Sequence, residues 1–287
     1  MAKYPVKKTA VKRKPKATKQ NTFWSWKKVG IALGIVFVIF IFLVGYHYRN
    51  GLAYYFGFRT KNAFVEKEEK RINDVRNFEL LSKYHDKVVG IDVSQYQGTI
   101  HWEQVKNIEN TFPIQYVFIR ATVGQDKVDN EFKNNWSESK NNGIIRGAYH
   151  YYRPNENSLL QANNFIANVQ LQKGDLPPVL DIEQLPKNQT LDSLKVGLKR
   201  WLVKVEEHYK VKPIIYSGEK FYNAFLKEEF SEYTFWIANY NFFVEDLKDD
   251  WLFWQFTEKA TITGIQGNVD VNLYNGTPKM LIYITFN

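Results

Sequence analysis

The stretch PPVLDIEQ, residues 177–184, carries two acids, Asp181 and Glu183, out of an apolar run. Such a run reads as a buried strand. Strand side chains alternate faces, so the two carboxyls share a face with α-carbons about 7 Å apart. Similar short runs surround it: KVVGIDVS (87–94), YVFIRAT (116–122), IIRGAYHYY (144–152), KPIIYS (212–217), FWIANY (235–240) and LFWQFT (252–257). Between them, LLQANNFIANVQ (159–170) and LDSLKVGLKRWLVKVEEHY (191–209) place apolar residues at helical spacing. Strands alternating with helices over about 200 residues predict an α/β fold, a modified (β/α) barrel of the TIM-barrel-like type rather than an open sheet. Barrel sites lie at the carboxyl ends of strands. This chain puts Asp92, Arg120, Tyr149, Tyr151, Asp181, Glu183 and Tyr216 at such ends.

Composition narrows the chemistry. The 287 residues include no cysteine, which excludes disulfides, thiolate metal sites and cysteine nucleophiles. Five histidines without ligand spacing predict no metal, and no cofactor is expected. A net charge of +9 invites a nucleic-acid partner, but ten of the 39 Lys and Arg precede Val29 without one acid among them. The remaining 29 then face 30 Asp and Glu. The basicity is a tail, and no nucleic-acid partner is expected.

Directly after that tail, VGIALGIVFVIFIFLVGY (29–46) runs eighteen residues without a charge. At 1.5 Å per residue it spans about 27 Å, close to a hydrocarbon core of about 30 Å. Trp24 and Trp26 precede it as interfacial aromatics, and YHYRNG (46–51) offers no small-residue cleavage site. The expected organisation is a cytoplasmic basic tail (1–28), a single transmembrane helix in membrane lipid (29–46) and a helical stalk (47–87). A domain over 88–287 follows, on the periplasmic or extracellular side. Dense opposite charges over 62–84 suggest that the stalk is an exposed amphipathic helix. Oligomeric state is not legible.

In order, GIDVSQYQGTIHW (90–102), FIRATVGQDKVDNEF (118–132), RGAYHYYRP (146–154), PPVLDIEQ, PIIYSG (213–218), FWIANY, FWQF (253–256) and IQGNVDVNLYNG (265–276) resemble the family 25 glycoside hydrolases, lysozymes of the Chalaropsis type. The resemblance covers about residues 88–277. It implies a barrel that hydrolyses the β-1,4 bond between N-acetylmuramic acid and N-acetylglucosamine in peptidoglycan glycan strands. Asp92, Asp181, Glu183 and Asp270 match the family's four acidic site residues, with Glu183 as general acid.

Glycoside cleavage asks for such a cluster: a proton for the leaving oxygen, and negative charge beside a developing oxocarbenium ion. Glu183 has the longer reach, and Asp181, set back, is expected to stay ionised and to orient the substrate acetamido group. Retention and inversion of configuration both remain open. The aromatic residues Tyr149, Tyr151, Tyr216, Trp236 and Trp254, with Arg120, are candidate sugar contacts, although buried aromatics in barrels are ordinarily core. Val123 stands in ATVG (121–124) where the family often has an acid, and Asp129 is followed by Asn130 instead of proline. Loss of a polar lining residue at 123 would leave room for a non-catalytic glycan-binding protein, and the basic tail is the one hint of a scaffold in a wall or secretion apparatus.

Overall fold

The computed structural model describes residues 26–48, 63–241 and 246–287. The basic tail up to Ser25 and the connection 49–62 lie outside the described residues. The chain divides into two compact units, Met1–Leu52 and Ala53–Asn287. In the first, helix α1 (Trp26–His47) is 22 residues long, and an eighteen-residue window within Lys28–His47 has a mean hydropathy of 2.8. At 1.5 Å per residue that helix is about 33 Å long, enough to cross a bilayer. Its length and composition suit a membrane anchor and a signal sequence alike.

The second unit is built on a closed barrel. Its strands are β1 (Val88–Val93), β2 (Asn107–Ile108), β3 (Phe112–Val123), β4 (Lys127–Val128), β5 (Ile145–Tyr151), β6 (Val179–Asp181), β7 (Ile214–Gly218), β8 (Thr234–Ala238), β9 (Phe253–Ala260) and β10 (Val269–Tyr274). Eight close in the order β1-β10-β9-β8-β7-β6-β5-β3 and back to β1, while β2 and β4 are small flanking pieces on β3. Neighbours are parallel except for β10, which runs antiparallel to both β1 and β9. Helices α3 (Phe132–Asn141), α4 (Ser158–Asn168) and α5 (Leu191–Tyr209) cover the crossovers from β3 to β7. The β1–β3 link holds two 3₁₀ turns and β2 but no α-helix, and no helix separates β9 from β10. TIM-barrel-like is therefore a loose description, because the repeat of strand and helix fails both at the β1–β3 link and between β9 and β10.

Alternation along the strands builds two cores. Tyr116, Phe118, Val179, Ile214, Tyr216, Trp236, Phe253 and Tyr274 cluster in the barrel interior. The glycines of β1 and β5 make that filling possible. A Cβ on Gly90 would sit 2.4 Å from the Tyr116 ring, and one on Gly147 would sit 2.6 Å from Phe118. The opposite faces supply Ile91, Val117, Ala148, Leu180, Ile215 and Ile237 to an outer layer shared with Phe165 of α4 and Leu198, Trp201 and Val205 of α5. The Thr190 hydroxyl accepts the Ser193 amide at 3.1 Å and starts α5.

The expected exposed stalk is corrected over its described part. Helix α2 (Ala63–Lys83) belongs to the same compact unit as the barrel. Ile72, Asn73, Arg76, Asn77, Leu80 and Leu81 are buried, and their spacing of four is one helical stripe. Half of that stripe is polar, so the helix reads as solvent-facing while its inner face is docked.

Candidate active site

Strand periodicity carries Asp92 (β1), Arg120 (β3), Tyr149 and Tyr151 (β5), Asp181 (β6), Tyr216 (β7), Trp236 (β8), Gln255 (β9) and Asp270 (β10) to one end of the barrel. There they line a cleft of about 290 Å³ together with Glu183, Tyr96, Tyr240 and Glu258. Asp92 and Asp270 face each other because β10 pairs antiparallel with β1 in the register Asp92↔Asp270.

The hydrogen-bond network around Asp92 fixes its own polarity. Asp92 Oδ2 accepts from Gln255 Nε2 at 2.7 Å and from Asn272 Nδ2 at 2.8 Å. The Gln255 carbonyl oxygen accepts from the Tyr216 hydroxyl at 2.7 Å and also from the Tyr240 hydroxyl. Asn272 Oδ1 accepts from Trp236 Nε1 at 2.7 Å. An indole N–H only donates, so the Asn272 amide must present its NH₂ to Asp92. For Gln255 the Asp92 carboxylate sets the direction, because it takes the Nε2 donor and leaves Oε1 to accept from the two tyrosine hydroxyls. Asp92 is thus held as an acceptor by two amides that cannot turn without losing a bond.

Burial pushes Asp92 above the usual carboxylate range, and the two amides with Asp270 pull it back. Burial and then the Asp92 charge push Asp270 up further. Two carboxyls pushed up in this way favour sharing one proton between them, with Asp270 raised further than Asp92. Asp181 is buried, its Oδ1 has no partner among the described residues, and burial followed by the Glu183 and Asp92 charges raises it well above its ordinary value. Arg120 opposes that rise only partly. Burial thus works against the expected ionised form of Asp181, and the Arg120 guanidinium works for it. Glu183 projects from the end of β6 into solvent, yet the enclosing cleft raises it too, against the pull of the Tyr216 hydroxyl. Arg120 is tied to Asp129 Oδ2 at 2.8 Å and lies over the Tyr96 ring at 4.7 Å. The cleft therefore gathers five acids around one guanidinium, a field suited to a cationic transition state.

Residues 91–265 match the description of glycosyl hydrolases family 25. The chain belongs to this family. The protein YegX of Escherichia coli K12 is 40% identical over 196 residues, spanning 67% of this chain and 71% of that protein. Lysozyme M1 of Streptomyces globisporus is 32% identical over 215 residues, spanning 70% and 72%. A bacterial lysozyme from Streptomyces coelicolor has the same fold with a TM-score of 0.62 at 28% identity, over 70% of this chain and 97% of that one.

In this family 25 glycoside hydrolase two further expectations need correction. Trp254 does not face the cleft. It is fully buried in the outer layer, with its Nε1–H on the Asn239 carbonyl at 3.1 Å and its ring against Trp251. Inward positions on β9 are Phe253 and Gln255, so alternation sends Trp254 outward. Val123 pairs with Tyr151 and Lys127 at the end of β3 and is not among the cleft-lining residues, so no polar wall is lost there. Trp236 lines the cleft, but its N–H is committed to Asn272. Gln255, Asn272, Tyr240 and Tyr96 were missed as site residues, although each falls within a stretch quoted for the family resemblance.

The shared proton has a consequence for stability. A carboxyl whose folded value is raised binds its proton more tightly in the folded state, so the fold loses stability as pH rises from the unfolded value of about 4 through the folded one. Asp270→Asn removes that loss. Its melting temperature is expected to equal that of the wild type near pH 4 and to exceed it at pH 8, the difference in unfolding free energy growing by at most about 1.4 kcal/mol per pH unit between the two values. Parallel melting curves at both pH values would refute the shared proton.

Proposed function

We propose that this chain is a membrane-anchored muramidase, hydrolysing the β-1,4 bond between N-acetylmuramic acid and N-acetylglucosamine in peptidoglycan. The observation that carries the reading is the strand-end pair Asp181 and Glu183, facing the Asp92–Asp270 pair across a cleft walled by Tyr149, Tyr151 and Tyr216. Glu183, whose hold on its proton is strengthened by burial in the cleft, gives that proton to the leaving glycosidic oxygen. The substrate's own acetamido oxygen attacks the anomeric carbon as that bond breaks, and Asp181 accepts the amide N–H and balances the positive charge that develops. Glu183, now ionised, takes a proton from the water that opens the intermediate. Asp92, held by Gln255 and Asn272, supplies the neighbouring negative charge.

The rings of Tyr149, Tyr151 and Tyr216 suit sugar faces, and Arg120 suits a polar substituent. The domain that does this work extends over about 88–287, with α2 docked onto it. A non-catalytic glycan-binding role was motivated by Val123, and that motive weakens because Val123 lies outside the cleft lining. Release of soluble fragments from purified peptidoglycan by the full chain tests the reading; binding without release would favour the non-catalytic role.

The anchor reading rests on ten uncompensated cations before Val29 and on the apolar helix that follows them. It predicts the amino terminus in the cytoplasm and the barrel outside. A reporter active only in the cytoplasm, fused after Asn287, is expected to stay silent. A strong signal would reverse the orientation, and a main species beginning near Arg49 would show a cleaved signal instead.

A further inference from the structure

Helix α2 lies wholly before the family match, which begins at residue 91. One of its side chains nevertheless reaches the frame of the cleft. Arg76 is buried at 8% exposure; its Nη1 donates to the Phe256 carbonyl at 2.7 Å and its Nη2 to the Asn241 carbonyl at 3.3 Å. Both acceptors are placed tellingly. On β9, Gln255 pairs with Asn272 and Thr257 with Val271, so Phe256 is an extra residue, a β-bulge against β10. Bulges re-aim the side chains beside them and free a carbonyl from the ladder. Here the re-aimed neighbour is Gln255, whose amide holds Asp92. Asn241 follows Tyr240, whose hydroxyl meets the other end of the same Gln255 amide. One guanidinium thus clasps the backbone on either side of the Tyr240–Gln255 contact. The rest of α2 and its end reinforce the clasp: Lys83 pairs with Asp246 at 2.9 Å, and the Tyr84 hydroxyl accepts the Leu247 amide at 2.8 Å.

We propose that Arg76 is a positioning residue for hydrolysis, acting through the Phe256 bulge and the Asn241 carbonyl to keep Tyr240 and Gln255 aimed at Asp92, so that α2 is a working part of the catalytic unit. The inference deepens the functional reading above and rests on it. Arginine suits the task because its rigid fork serves two carbonyls at once from a buried position.

The test uses the full chain and soluble peptidoglycan glycan fragments, with wild type, Arg76→Met, Tyr240→Phe and the double variant. Arg76→Met keeps the length and removes both donors. It is expected to lower kcat about tenfold while KM stays within about twofold, because the aim of a charged group is lost rather than a sugar contact. In the Tyr240→Phe background the same substitution is expected to cost about twofold or less, since the two residues act through one amide. Arg76→Lys should recover part of kcat. Wild-type kcat in Arg76→Met, or losses that multiply in the double variant, would overturn the positioning role while leaving the function intact. A wild-type chain that cleaves nothing would sink the functional reading and this inference with it. If Arg76→Met does not fold, the same cycle is run with Arg76→Lys and the same two results decide.

Discussion

Glu183→Gln is expected to retain the fold and lose hydrolysis by about 10²-fold or more, the range of a positioned general acid. Glutamine keeps the shape of the side chain and its place at the end of β6 but has no proton to transfer. The side chain projects into solvent, so the exchange leaves no buried group orphaned, and the melting temperature should hardly move. The wild-type profile should fall at high pH as Glu183 ionises, at a pH above the ordinary glutamate value because its surroundings raise it. That limb should vanish from the residual activity of the variant. Near wild-type turnover would remove Glu183 from the role of acid.

Asp181→Asn is expected to cost a similar factor, about 10² to 10³, the scale of removing one electrostatic partner of a transition state. The buried, unpartnered Oδ1 and the raised proton affinity describe a carboxyl whose charge is unfavourable until something cationic arrives. An acetamido group turning into a cyclic cation during bond cleavage is such a partner. Asparagine can still accept the N–H but brings no charge, so kcat should fall with KM nearly unchanged. The same reading predicts that the β anomer is released first, as followed by NMR before mutarotation. An initial α product would instead assign Asp92 or Asp270 to activating a water with inversion. A glycosyl ester trapped on Asp181 would keep retention and refute the orienting role.

How far the sequence could reach follows from which forces are local. The strand ends with Asp181 and Glu183 were legible because a two-residue repeat fixes a shared face without reference to any other strand. The Asp92–Asp270 pairing was not, since it depends on β10 running antiparallel beside β1, a register between segments nearly 180 residues apart. Trp254 was misread because β9 is apolar on both faces, Phe253 inside and Trp254 outside, and such a strand does not announce its inner side. The docking of α2 was hidden by Asn73, Arg76 and Asn77, polar residues in a buried stripe. Gln255 and Asn272 escaped notice for a related reason. Neutral amides carry no chemical signature until their partners, here Asp92, Tyr216 and Trp236, are in place.

The measurement that bears most directly on this account is the identity of the sugar at the new reducing end. Purified peptidoglycan is digested with the full chain, the fragments are reduced with borohydride, and their masses are read before and after reduction. Hydrolysis by this site is expected to leave reduced N-acetylmuramic acid on the released fragments and to do so only while Glu183 is present. Fragments ending in reduced N-acetylglucosamine, or cleavage of peptide bonds with the glycan intact, would contradict it.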